Sequence, residues 1–262
     1  MNTFSRTIRF ELIKICSSRV WWVIFSLVAI VQPLLAFIVA NSYAQIGLDA
    51  TPETHPELVE AFPPLDYIGF EVVLFGLLPM VVFGGITGAN EFKHHELRTT
   101  LLSQSSRIHV FGAKVIALLL CSTFLSFLTI SATISITHFG LGDIGLHPFY
   151  LSKIAWQFIF FSSLDWILLT LLSFGIGMLF RNALVPLFFL VPQVFNLGRY
   201  LAQRWEWGEY LPVAAGNLLF ATPTDPFEHE PLKGGIILLI WVMFALLTSY
   251  YAFTRSDVGG KY

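Results

Sequence analysis

The chain has 262 residues and a formal net charge of −2; 55% of it is hydrophobic, 16% aromatic and only 12% charged. Soluble domains carry roughly a quarter charged residues, so a water-soluble globular protein is excluded and a lipid bilayer is the expected solvent. No nucleic-acid partner is expected.

Residues 1–19 predict an amphipathic helix lying in the inner membrane interface. Phe4, Ile8, Leu12 and Ile15 recur at helical spacing, while Arg6, Arg9 and Lys14 are placed to snorkel toward headgroups. Crossing a bilayer takes roughly 20 apolar residues. Six runs qualify: Val20 to Ala40, Ile68 to Ala89, Val110 to Thr137, Ile154 to Leu179, Ala183 to Leu197 and Gly235 to Phe253. The fifth is the shortest and carries Pro186 and Pro192. The runs are apolar on every face, which argues against the alternating strands of a barrel. The expected fold is therefore all-α, a polytopic membrane protein with six transmembrane helices forming one domain over 1–262.

Between the first two runs, Asn41 to Tyr67 carries Asp49, Glu53, Glu57, Glu60 and Asp66 with no Lys or Arg, and four prolines predict an irregular course. Between the second and third runs lies a short charged segment, 90–107. The stretch between the third and fourth runs, His138 to Lys153, is short and Gly-rich. The segment 198–234 mixes Tyr200, Trp205, Trp207 and Tyr210 with charge, which suits an interfacial helix at headgroup level. Pro79 interrupts the second run as Pro186 and Pro192 interrupt the fifth, matched positions that can mark a transport route. With the N-terminus inside, only Lys153, Arg199, Arg204 and Lys233 fall outside; every other Lys and Arg is internal. That bias places both termini in the cytoplasm, as a multi-pass protein of the cell membrane. The first run is longer than the apolar core of a signal peptide and is read as a retained span.

Cys16 and Cys121 sit in separate segments, are not expected to meet and imply no disulfide framework. No P-loop occurs: the closest string, Gly259-Gly260-Lys261-Tyr262, has neither Ser/Thr nor a helix to follow. Adjacent His94 and His95 point about 100° apart on a helix, so with Glu96 they make a poor metal site, and no metal is expected. Nothing in the sequence suggests a catalytic centre. Asp165 stands in the middle of the fourth run, with Ser162 and Ser163 in local reach, either as a substrate or proton site or as a structural hydrogen bond. Gly76, Gly84, Gly85 and Gly88 in the second run allow close helix contact.

The segment Asn90-Glu-Phe-Lys-His-His-Glu-Leu-Arg-Thr-Thr-Leu-Leu, followed by Arg107 and Lys114, resembles the loop after the second span of ABC-2 type (type V) ABC transporter permeases. The matching positions are Glu91, Phe92, Lys93, His94, Leu97, Arg98, Thr99, Thr100, Leu101, Leu102, Arg107 and Lys114; the family's usual Gly-Thr is replaced here by His95-Glu96. The resemblance implies a permease subunit without its own nucleotide site, forming a homodimer or a heterodimer with a related permease. It implies a separate ABC ATPase that binds ATP and Mg and docks on a coupling helix in 90–107. Glu91, Lys93, His94, Leu97, Arg98, Leu101 and Leu102 are the implied coupling residues, the leucines filling an apolar groove and the charges setting register. Spans one, two and five would line the route at the dimer interface. Export of a hydrophobic or amphipathic cargo, an antimicrobial peptide or a drug, is the implied function. Two alternatives stand beside it: a proton-coupled secondary transporter working through Asp165, and a non-transporting membrane sensor or scaffold.

Overall fold

A computed structural model describes residues 3–55, 58, 61–91, 106–222 and 229–255. The described residues are helical and contain no strand. The helices are α1 (Thr3–Ser17), α2 (Arg19–Ile46), α3 (Phe70–Asn90), α4 (Arg107–Gly140), α5 (Lys153–Phe180), α6 (Leu184–Pro192), α7 (Gly198–Arg204), α8 (Pro212–Asn217) and α9 (Pro231–Arg255). Among them, α2, α3, α4, α5 and α9 are long and apolar enough to cross a membrane. The run from Ala183 to Leu197 instead yields a shorter apolar helix, Leu184–Phe195.

The corner between α1 and α2 is written in Ser17-Ser18. Ser18 is extended, its hydroxyl accepts the Trp21 N–H at 3.1 Å, and the same hydroxyl donates to the Ile15 carbonyl at 2.8 Å. One short side chain thus caps the new helix and closes the old one. Beyond it, α2 carries a π-helical turn at Leu27–Val31, just before Pro33. A second π-helical turn, Gln193–Leu197, follows Pro192. Proline removes a backbone donor, and a local rewinding absorbs the loss. Pro79 has no such effect: α3 runs unbroken through it, so the matched interruption of two spans is not found. Packing against α5 on both sides of Pro79 holds α3 together despite the missing donor.

The helix α2 also outruns its apolar stretch, ending at Ile46 rather than Ala40. Asn41 and Ser42 keep it helical by donating to the carbonyls of Phe37 and Ile38. It stops at Gly47, whose φ of +90° is a conformation that favours glycine.

At the centre lies α5, the most enclosed of the five long helices, packed against α3, α9 and α4. The α3–α5 contact is the closest, and its cause is the row of glycines. A Cβ at Gly84 would collide with the Thr170 carbonyl, and one at Gly88 with the Phe174 carbonyl. From the other side, a Cβ at Gly177 would meet the Gly85 carbonyl at 2.6 Å. Backbones this close let side-chain hydroxyls cross between helices. Ser173 Oγ donates to the Val81 carbonyl at 2.6 Å and Thr170 Oγ1 approaches the Met80 carbonyl at 3.4 Å. Such bonds contribute on the order of 0.6 kcal/mol each within a membrane. On the outer flanks, α2 and α9 expose rows of large apolar side chains, among them Trp22, Leu34 and Ile38 on α2 and Ile236, Ile240 and Phe244 on α9.

Gly84→Ala should therefore destabilise the protein by about 1–3 kcal/mol, because the obstructing atoms are backbone and cannot swing away. Gly235→Ala meets only Leu219 Cδ2, at 3.5 Å, and should be neutral or slightly stabilising. Thermal unfolding of the two variants in detergent, side by side, checks the contrast.

Candidate functional site

The charged end of the bundle holds an ion cluster built from three helices. Lys114, in the second turn of α4, is 3% exposed, and its ammonium donates to Glu11 Oε1 of α1 at 2.7 Å and to Glu91 Oε1 at 2.7 Å. Glu91 directly follows α3 and caps its C-terminal end. Lys14 of α1 adds a second ammonium to Glu91 Oε1 at 2.8 Å. Glu11 and Lys14 lie on α1 at a spacing of three, so one helix face brings both to the cluster. Nearby, Arg107 at the first turn of α4 donates to the carbonyls of Thr254, at 2.5 Å, and Phe253, at the end of α9.

These contacts revise the reading of α1. Its stripe of Phe4, Ile8, Leu12 and Ile15 packs toward α4 instead of facing lipid; Ile15 is buried and the Phe4 ring lies 5.6 Å from that of His109. The apolar side chains left outward are Phe10 and Ile13. Lys14 is engaged by Glu91 and does not reach for headgroups. Glu11, which the sequence did not single out, is the centre of the buried face at 2% exposure. Its signal was available: a lone acid among the basic residues of 1–19. Cys16 and Cys121, expected to stay apart, are neighbours across the same α1–α4 contact, both as free thiols.

The two carboxylates differ because their counter-charges differ. Burial pushes the Glu11 carboxyl up, and the Lys114 ammonium only partly offsets this. Burial also works against ionised Glu91, but Lys114 and Lys14 together outweigh it and hold this carboxyl below the usual carboxylate range. Glu91 Oε2 has no hydrogen-bond partner. Beside the cluster is a cavity of about 200 Å³, polar along Glu11, Lys14, Asn90, Glu91 and Lys114 and apolar along Val20, Phe83, Ile86 and Phe174.

Of the residues singled out in 90–107, Glu91 and Arg107 are described, and Glu91 turns inward rather than offering its charge to a partner. Phe92, Lys93, His94, His95, Glu96, Leu97, Arg98, Thr99, Thr100, Leu101 and Leu102 lie outside the described residues. What is visible is that both ends of this segment are held. Glu91 at the near end is bonded to Lys114, two turns into the helix that begins at the far end, and Arg107 at that far end is tied to α9.

Asp165 sits apart from the cluster. It is 1% exposed in mid-α5, and its Oδ1 has no hydrogen-bond partner; neither do the hydroxyls of Ser162 and Ser163. A charged side chain at such a depth costs at least about 2.5–3.5 kcal/mol. Glu71, in the first turn of α3, accepts from the Tyr43 hydroxyl at 2.9 Å. Tyr200, Trp205, Trp207 and Tyr210 of the aromatic segment are all exposed. The helix that follows it, α8, was not foreseen; Val213, Ala214, Ala215 and Gly216 are buried and pack on α9 and α5.

Comparison with family models, with curated proteins and with solved structures finds no match for this chain.

Lys114→Met should leave the buried Glu11 carboxylate without a counter-charge and Glu91 with Lys14 alone, and destabilise the protein by about 3–5 kcal/mol, more than Glu11→Gln. The depressed Glu91 pKa gives a sign to the acid response. Its stabilisation is present above the ordinary carboxylate pKa of about 4.3 and is lost as pH falls through the lower, folded value. Glu91→Gln should flatten the acid limb of a stability profile measured by thermal unfolding; an unchanged limb would show that other groups control it.

Proposed function

We propose that the chain is the membrane-spanning permease subunit of an ABC-2 type ABC transporter, exporting a hydrophobic or amphipathic cargo with ATP hydrolysed by a separate subunit. The observation that carries the reading is the clamp around 90–107. A segment that transmits force must have both ends fixed, or motion at the loop dissipates before it reaches the spans. Here the near end is tied through Glu91 to Lys114 and α1, and the far end through Arg107 to α9. The resemblance of 90–107 to the family's coupling loop supplies the rest: Lys93, His94, Leu97, Arg98, Leu101 and Leu102 would meet the ATPase, and Glu91 would anchor the loop from within. ATP and Mg would bind the partner, and two permeases would face each other across the route.

The orientation follows from the charge bias, with both termini and the coupling loop in the cytoplasm. In this reading Leu184–Phe195 is part of a sixth span, because the helical track continues through the π-helical turn into α7 and reaches on the order of 30 Å over residues 184–204. The helix α1 lies at the inner surface, with Phe10 and Ile13 turned to lipid and α4 at its back.

Co-expression with candidate ABC ATPases tests this. One ATPase should co-purify with the chain, and Leu101→Asp should weaken its retention by at least about tenfold, the equivalent of 1.4 kcal/mol, without altering the thermal stability of the chain alone. A second reading, a proton-driven secondary transporter, is favoured by the unpartnered Asp165. Transport by the purified chain in vesicles without any ATPase would select it.

A further inference from the structure

Asp165 is the polar group that a force-transmitting loop leaves unused. Its surroundings are more specific than those of a stray charge. The short helix α8 covers it: a Cβ at Gly216 would collide with Asp165 Oδ1 and lie 3.0 Å from its Cγ, so glycine is what lets the two approach. The cover is small. It has six residues, too few to cross a bilayer, and it reaches Asp165 from the end of the bundle that carries the exposed aromatic segment. It is seated by Val213, Ala214, Ala215 and Gly216, buried against α9 and α5. Its polar ties are few: the Val213 N–H lies 3.5 Å from Gln193 Oε1, and beside it the Trp241 indole donates to the Tyr210 carbonyl at 2.8 Å and Lys233 pairs with Glu209 and Glu230.

No counter-charge faces the carboxyl among the described residues. On α8 there is no titratable side chain. The groups that neighbouring elements turn toward this end of α5 are engaged elsewhere or lie farther out. Glu71 of α3 is bonded to Tyr43, His138 of α4 accepts from the Leu146 N–H, and Lys233 of α9 is held by its two glutamates. Tyr67 packs edge-on against Phe158. His229 lies against the rings of Phe158 and Phe161, the latter one turn from Asp165. A carboxylate with neither cation nor donor does not persist in such a place; a neutral carboxyl does.

We propose that Asp165 is a proton-binding site that latches α8. With the proton bound, the neutral carboxyl lies under Gly216 and α8 stays seated among α5 and α9. When the proton leaves to water at the α8 end, the carboxylate must be hydrated. Water reaches its Oδ1 from the α8 end if α8 lifts, because Gly216 lies over that oxygen. The proton returns from the same side and no other bond changes. The site is independent of the ATPase, but the side from which it is addressed rests on the orientation given above.

The test places a reporter cysteine on the cover. Cys16→Ser and Cys121→Ala remove the native thiols, and Asn217→Cys adds one at the end of α8, where the native side chain is half-buried. In membranes, labelling by an impermeant thiol reagent from outside, divided at each pH by that of a freely exposed thiol so that thiolate formation cancels, should quicken as external pH rises, by about tenfold per unit while Asp165 titrates. Adding Asp165→Asn, a neutral side chain of the same shape, should leave labelling slow at every pH. Gly216→Ala should make it fast at every pH. The latch is overturned if labelling of the parent does not change with pH, if the pH dependence survives Asp165→Asn, or if Gly216→Ala labels as slowly as the parent. It is also overturned in favour of a metal-ion site if sodium ions slow labelling at fixed pH. Should a permeant reagent reveal the pH dependence while the impermeant one labels only from the inner face, the latch stands and the orientation fails.

Discussion

The arrangement depends on one ammonium held between two carboxylates. Lys114 is almost fully enclosed, as are Glu11 and Glu91, so removing any one of the three leaves charge without compensation. A pair would have joined two helices. The shared lysine joins α1, the end of α3 and the start of α4, and Lys14 adds a second link from α1. Electrostatics of this kind loses much of its strength in water and keeps it in an enclosed site. The cluster is therefore stiff where it is buried, and softest at Lys14, whose side chain is 30% exposed.

That stiffness has a mechanical meaning because of what lies on each side. Toward the loop, the cluster fixes the residue at which α3 ends. Toward the bundle, it sits at the foot of the α3–α5 contact, where glycines bring backbones together and Ser173 and Thr170 bond across. A displacement applied at the loop would thus enter α3 and α4 together and pass to α5 with little slack, since interdigitated backbones cannot be compressed. Beside the cluster lies the cavity, with one charged wall and one apolar wall.

The far end of the bundle is built on the opposite principle. There the polar ties are few and exposed, Lys233 with its glutamates and one indole to one carbonyl, around a helix of six residues that is itself packed on α9 and α5. Local stability follows buried contact and enclosed hydrogen bonds, so in the proposed latch the exposed polar ties around α8 are the ones that would give way first. Asp165 lies between the two ends, on α5, the helix that packs on both.

Much of the architecture was legible because it follows from short-range chemistry. Apolar runs long enough for a bilayer mark the helices α2, α3, α4, α5 and α9, and the glycines of the second run mark a close helix contact, though not its partner. These features are readable because their cause lies within one segment. Asp165 was legible as an outlier for the same reason, since a charge inside an apolar run is costly whatever surrounds it. Tertiary structure alone decided which groups meet. Nothing within 1–19 says that its apolar stripe packs on α4, that Glu11 and Lys14 belong with Lys114 and Glu91, or that Cys16 reaches Cys121. Nothing near Pro212 says that α8 ends on Asp165, because the partner is about fifty residues away. Composition and periodicity report how each segment meets its solvent; pairing between distant segments depends on crossing geometry, and that exists only in the folded chain.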